Sequence, residues 1–433
     1  YATLAADNVI IRSVSLDREA TVIRGGGSAM KMRCLDVRSG ATIKGLTIRD
    51  FGSTSSLKGG VVSYTQRNQK TLTLDYCVFT NNAVAGSGGV LCKADMNKVV
   101  ATNCLFAGNS AQSGGAVYTE TYQGAGFDVF LYNCEFIANS ATGNGGALYM
   151  GGPSIFAYDC TFRGNEANLG AATYAANCTR CHFIQNHGLN NSSPAVVQGN
   201  FDGCDFNSNT ANVVNSSGFA TFWNYNQAIR FVDCTFHDSA QNLGQGGSFE
   251  RCSFVRCGGL NKTGGTYANC LMISNAAPSG GLLEGAATLT NCTIVCNTGS
   301  HLLTSKAGAV VNCVFADNAL NQNCYEIGFD SRTTSSAKLV NSIFTTGTAY
   351  GSENTIQLGV TENPAGGVYR RSNLRFIGKN DRELPEWAPR HSSICVNAGA
   401  NVCGYDAETT DLGGKPRVVE SVVDIGCYEC QPG

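Results

Sequence analysis

A four-residue unit recurs along most of this chain: a polar or small residue, a Cys, any residue, then Phe or another large apolar residue. It reads Asn103-Cys104-Leu105-Phe106, Asn133-Cys134-Glu135-Phe136, Asp159-Cys160-Thr161-Phe162 and Asp233-Cys234-Thr235-Phe236. It continues through Asn269-Cys270-Leu271-Met272, Asn291-Cys292-Thr293-Ile294 and Asn312-Cys313-Val314-Phe315, and the twelfth copy, Asn341-Ser342-Ile343-Phe344, has lost its Cys. From Cys77 onward the ladder cysteines stand 27, 30, 26, 21, 23, 30, 18, 18, 22 and 21 residues apart. A helical repeat would hold its length and show a 3.6-residue pattern. This one has period 2, with Cys inward, x outward and Phe inward. Variable spacing around fixed core positions describes a solenoid coil whose turns can expand.

Other signals share the register. An apolar residue lies three before many of the cysteines (Leu74, Leu131, Phe201, Phe231, Phe249, Tyr267, Leu289) and is expected to point inward. The Asn or Asp between suits a bend, because these residues tolerate left-handed backbone. A second Asn follows the Phe, as in Phe106-Ala107-Gly108-Asn109 and Phe136-Ile137-Ala138-Asn139, and stacked Asn can hydrogen-bond from coil to coil. Then come Gly114-Gly115-Ala116 and Gly145-Gly146-Ala147, where glycine permits a tight corner. With only 8 Pro, few strand N–H groups are missing. The expected fold is an all-β, right-handed, single-stranded parallel β-helix of about twelve coils. At ~4.8 Å per coil it would be a rod of roughly 60 Å. Residues 1–344 are expected to form the repeats and 345–433 an irregular segment packed on the last coils.

Composition narrows the function. With 14% charged residues and a net charge of −2, the chain shows no basic stripe for nucleic acid. No apolar run is long enough to span a membrane as a helix. The chain opens in what reads as a strand, Asn8 to Val14, as expected of a mature or trimmed chain whose true start is missing. Of 21 Cys, those on the ladder read as small buried hydrophobes, and so does Cys178-x-x-Cys181, whose second Cys is a ladder member. Without inward His or carboxylates a metal array is not expected. Cys395, Cys403, Cys427 and Cys430 lie beyond the repeat, where one or two disulfides would help most. Arg370, Arg371, Arg375, Lys379, Arg382 and Arg390 give the segment before this tail a basic bias, read as a solvated linker lying on the last coils.

The Phe-x-x-Asn and Gly-Gly-Ala units resemble those of bacterial surface β-helix proteins, including the chlamydial polymorphic outer-membrane proteins. The tail is similar to the closing segment of secreted bacterial parallel β-helix repeat proteins: Ser393-Ile394-Cys395-Val396-Asn397-Ala398-Gly399, Thr410-Asp411-Leu412-Gly413-Gly414-Lys415-Pro416-Arg417 and Val423-Asp424-Ile425-Gly426-Cys427-Tyr428-Glu429. The resemblance implies the fold and export to the cell surface or medium. Its members include both adhesins and polysaccharide enzymes, so it leaves activity open.

The outward positions are where a site would lie. Glu135, Arg163, His182, Asp205 and His237 should fall on one face, with His182 and Asp205 as neighbours. A polysaccharide lyase needs a base and a cation, such as Ca²⁺, to neutralise a uronate. A glycoside hydrolase needs two carboxylates flanking the bond, and ~14 Å between Glu135 and Asp205 is long for that. Tyr132 and Tyr158 are placed either to pack on a sugar ring or to form a surface ladder that stiffens the rod, and Trp223 and Tyr225 sit in an aromatic stretch that either contacts a ligand or folds back on the coil. The expected role is an exported structural, adhesive or glycan-contacting rod, able to self-associate head to tail through its open ends. The alternative is a lyase or hydrolase. No cofactor beyond that Ca²⁺ is implied.

Overall fold

A computed structural model shows parallel strands stacked in register. It describes residues 2–27, 32–64, 69–94, 97–120, 128–151, 154–190, 193–212, 218–224, 228–303, 308–321, 327–328, 339–345, 347–348, 352–353, 356–357, 372, 374–376, 387–401, 404–406, 408–419 and 421–430. The chain divides into two compact units, Tyr1–Ile229 and Arg230–Gly433. Each is a right-handed parallel β-helix, the hand that parallel crossovers adopt.

In the first unit, wall 1 consists of strands such as Lys98–Thr102, Val129–Tyr132, Ile155–Tyr158 and Ala176–Thr179. Wall 2 holds the strands that follow each Cys: Leu105–Ala107, Glu135–Ile137, Thr161–Arg163, His182–Ile184 and Asp205–Asn207. Wall 3 follows the paired glycines, with Val117–Thr119, Leu148–Met150 and Thr173–Tyr174.

The corner between walls 1 and 2 is a single left-handed residue. Asn103, Asn133 and Asp159 have φ of 54°, 49° and 55°, and Arg180 takes the same turn at 52°. Cys104, Cys134, Cys160 and Cys181 follow it into the core, each no more than 1% exposed. Phe106, Phe136, Phe162 and Phe183 are fully buried, and their rings stack at 4.7, 4.9 and 5.0 Å from coil to coil. Burial of each ring contributes about 2–3 kcal/mol, so this column dominates the stability of the wall. The apolar residues three before the cysteines, Leu74, Leu131 and Phe201, point inward as the pattern predicts.

The stack starts before the first Cys. Val22–Gly27 pairs with Thr47–Ser53, which pairs with Val78–Thr80. Gly45 (φ 64°) makes the turn and the buried Leu46 fills the Cys position, so a search keyed on Cys misses these coils.

The second unit repeats the scheme with Thr235–His237, Ser253–Val255, Leu271–Ile273, Thr293–Val295 and Val314–Ala316 in wall 2. Paired strands are described as far as Ile356–Gln357. Here the tail covers the outer face of wall 2. Cys395, Ile425, Cys427 and Tyr428 pack with Leu271, Val295, Val314, Ala316 and Ile343. The Gly426 N–H donates to the Asn312 carbonyl at 2.8 Å and the Cys427 N–H to Thr293 Oγ1 at 3.0 Å. The outward positions turn apolar where the tail lies on them.

None of the described cysteines is in a disulfide. Cys395 and Cys427 are buried and Cys430 is half-buried, and none of these three is bridged to another. Cys403 lies outside the described residues, as do Arg370, Arg371, Lys379 and Arg382. Arg375 and Arg390 are joined by a backbone bond of 3.0 Å, and Arg375 also donates to Ser392 Oγ at 2.7 Å.

Candidate functional site

The residues between Cys and Phe face outward, in register. Leu105, Glu135, Thr161, His182 and Asp205 pair in sequence along wall 2 of the first unit. Glu135 and His182 are exposed, and Asp205 is half-buried. Arg163 is in the parallel column, flanked by Ile137 and Ile184, and is exposed. His182 Nδ1 is 3.8 Å from Asp205 Oδ2, an ion-pair distance beyond hydrogen-bond reach. Glu135 and Asp205 are three rungs apart, roughly 14 Å along the stack. That exceeds both the ~5 Å of a retaining and the ~6.5–9.5 Å of an inverting glycosidase pair. His237 belongs to the second unit, where it pairs with Val255 and its Nδ1 lies 2.7 Å from Asp238 Oδ2. Asp238 is in turn held by Arg256 at 2.6 and 3.0 Å, and these two bonds together with His237 keep its carboxyl down at about 2.

The neighbouring wall 1 carries a different surface. Tyr132 and Tyr158 pair in register and their rings stack at 5.2 Å with 12° between planes. Phe130 and Phe156, two residues earlier on the same face, stack at 5.6 Å and 15°. Phe130 and Tyr132 lie 6.4 Å apart at 5°. Four nearly parallel rings therefore form a two-by-two cluster, stacked from coil to coil. Tyr132 is 39% exposed and the other three are half-buried. Lys98 Nζ caps one corner, 4.9 Å from the Phe130 centroid. Beyond Phe156 the column continues with Asn177 and Asn200, joined by a 2.9 Å side-chain bond, and beyond Tyr158 with Thr179 and Asp202. Phe130 and Phe156 were not among the expected contact residues. The signal for them was the repeated Phe-x-Tyr before two successive cysteines.

Trp223 does not leave the coil on a loop. It ends the strand Phe222–Trp223 in wall 3, pairs with Val197, is half-buried, and packs edge-on against Phe219 at 5.6 Å. Tyr225 lies outside the described residues. A second ladder, Tyr118, Tyr149 and Tyr174, stacks at 5.2 and 5.0 Å on wall 3. Lys93, an unexpected core residue, is fully buried on the same wall.

In the cysteine column of the first unit, Cys77, Cys104, Cys134, Cys160 and Cys181 have thiols raised above the usual range. A thiol–thiol hydrogen bond to Cys134 and burial hold Cys104 well above the usual thiol range. Burial likewise raises Cys178, which fills an inward wall 1 position in register with Ala157. Among the described residues, no group of three or more His, Cys, Asp or Glu side chains could hold a metal ion. No helix among them is long and apolar enough to cross a membrane.

These coils carry a known repeat. Residues 103–120 and 133–151 match the Chlamydia polymorphic membrane protein repeat. Each polymorphic membrane protein repeat begins at the left-handed Asn and runs through the Cys, Phe and ladder Asn to the paired glycines and the wall 3 strand. The chain is thus a β-helix repeat protein that resembles the chlamydial polymorphic membrane proteins. No curated protein matches it. Among solved structures, the crystal structure of pectate lyase Pel9A aligns over 84% of this chain and 88% of its own, at 14% identity and a TM-score of 0.36.

Proposed function

We propose that this chain is the surface-exposed β-helix of an exported bacterial protein, with an adhesive or structural role, and that it contacts glycans through the platform Phe130, Tyr132, Phe156 and Tyr158. The platform carries the proposal. Partly exposed rings stacked in register present a contiguous apolar strip, and the C–H groups of a sugar ring can pack along such a strip. The adjoining Asn177, Asn200 and Thr179 supply hydrogen-bonding groups beside it. The Chlamydia repeat on these same coils supports the surface location. The hydrolase reading has less support, because Glu135 and Asp205 are too far apart to flank one bond.

Binding of the purified protein to an array of neutral and acidic polysaccharides tests this, beside a Tyr132→Ala/Tyr158→Ala variant. Retention of a glycan by the wild type and its loss by the variant is the expected result. Equal retention by both, or none by either, sinks the glycan contact. Turnover followed at 235 nm and by reducing ends would move the protein to the enzyme class.

End-to-end association is a companion proposal. Ala2–Leu4 and Val9–Arg12 each have a single partner strand among the described residues, and Ile10 and Val14 are 65% and 99% exposed. A second copy could add strands to this edge. A monomer by light scattering across a concentration series would exclude it.

A further inference from the structure

The second unit holds a cleft that none of the roles above uses. Its volume is about 290 Å³, near the lower end of small-molecule sites, ~300 Å³. Its floor is the outer face of wall 1. Arg230, Ser248, Thr266 and Thr288 form one row in register, and Glu250, Ala268 and Thr290 the next. Tyr405 from the tail forms the opposite wall.

Three features make this a built site. The tail is fastened close by: Asn312 Nδ2 donates to the Ala400 carbonyl at 2.7 Å, and its Oδ1 accepts the Ala400 N–H at 3.0 Å. Asn401 then grips Tyr405, accepting its N–H at 2.8 Å and donating to its carbonyl at 2.9 Å. Second, Asn269 lines the cleft while only 1% exposed, and its Oδ1 has no hydrogen-bond partner. An unpaired acceptor buried at the floor of the cleft is a cost that the fold carries there. Third, the charges are already paired. Arg230 meets Glu250 at 2.8 Å, and Arg251 bridges Glu250 at 2.6 Å and Asp233 at 2.7 Å.

We propose that this cleft binds a neutral sugar of one or two rings. Paired charges leave no net field for an anion or cation. The Ser and Thr hydroxyls, spaced ~4.8 Å apart by the strands, offer donors and acceptors to successive ring hydroxyls. Tyr405 supplies the aromatic wall. The Arg230–Glu250 pair places a donor fork beside an acceptor, which suits two adjacent hydroxyls. The cleft is separate from the Tyr132–Tyr158 platform, so the two proposals fail separately.

The test is calorimetric titration of the whole chain with glucose, galactose, mannose, rhamnose, N-acetylglucosamine and their disaccharides, with galacturonate and inorganic phosphate as anionic probes. Saturable binding of at least one neutral sugar is expected. Thr266→Val/Thr290→Val should weaken it at least tenfold while leaving the tail untouched. Tyr405→Ala should weaken it similarly, and Tyr132→Ala/Tyr158→Ala should leave it unchanged. No saturable binding by any neutral sugar overturns the proposal. So does binding that the Thr variant leaves intact, or binding confined to galacturonate or phosphate.

Discussion

Asn139 Nδ2 donates at 3.0 Å to Oδ1 of Asn165, the same residue of the next coil. It also donates at 2.9 Å to the Phe106 carbonyl of the preceding coil. Its own Oδ1 accepts the backbone N–H and the Nδ2 of Asn109, at 3.1 and 2.9 Å. One fully buried amide thus joins three coils. Asn139→Ala should cost about 3 kcal/mol or more, because it strands buried donors and acceptors on both sides. Asn318 is the half-buried last described rung of its own run, with Nδ2 donating to the Ile294 carbonyl at 3.0 Å. Asn318→Ala strands the buried Asn297 donors on one side only, so it should cost about half as much, about 1.5 kcal/mol. Urea unfolding of both variants checks the ratio.

Two glycines of the repeat should respond in opposite ways. A Cβ on Gly146 would meet the Glu166 carbonyl oxygen at 2.6 Å, a backbone atom of the next coil that cannot move alone. Gly146→Ala is expected to cost about 3 kcal/mol or more and to lower soluble yield. Gly164 is left-handed (φ 59°) with nothing within 4 Å of its Cβ position. Gly164→Asn, a residue that accepts this conformation, should change the melting temperature by less than about 2 °C.

The repeat made the core legible because its inward positions cannot vary. Cys104, Phe106, Asn109 and Leu131 could all be placed without a structure. The aromatic platform was half legible: Tyr132 and Tyr158 stand at a fixed offset from their cysteines, but Phe130 and Phe156 become partners only once wall 1 is known to be straight through four residues. The tail cover was also written in the chain. The outward residue after the Cys is Thr235 and Ser253, then Leu271, Thr293, Val314 and Ile343, and the mostly apolar later run marks a covered face. What covers it depends on where the tail returns, and no local pattern specifies this. The cleft below Tyr405 was hidden for the same reason.

The ladder thiols Cys77 and Cys104, and Cys257 at the asparagine position of its coil, should be chemically silent. Thiolate is the reacting species, and burial holds Cys257 at about 12, while Cys77 and Cys104 lie higher through the bonds between neighbouring thiols. Iodoacetamide at pH 7.5 should leave Cys77, Cys104 and Cys257 unmodified in the folded protein and alkylate all three in urea. Peptide mass spectrometry reads the difference. Alkylation of Cys104 under native conditions would mean that the coil opens locally far more often than its packing implies.

Acid in the tail should make the second unit less stable as pH rises. Glu429 is 4% exposed, and burial, reinforced by the Asp424 carboxylate, raises its carboxyl from 4.5 to about 8. Arg417, fully buried, opposes this with Nη1 3.6 Å from Glu429 Oε2. Asp411 accepts the Glu429 N–H at 2.9 Å, and burial also raises Asp424, which His391 and Arg417 oppose. A carboxyl with a raised folded pKa binds more protons in the folded than in the unfolded state between the two values. Its stabilising contribution is therefore complete below about 4.5 and is lost as pH rises through about 8. The melting temperature of the tail-bearing unit should fall by about 3 °C or more between pH 5 and pH 9. Glu429→Gln keeps an acceptor for the Asp424 N–H, which Glu429 Oε2 takes at 3.0 Å, and should flatten that slope. Scanning calorimetry of both proteins across this range decides the point: parallel curves would assign the pH dependence to other groups.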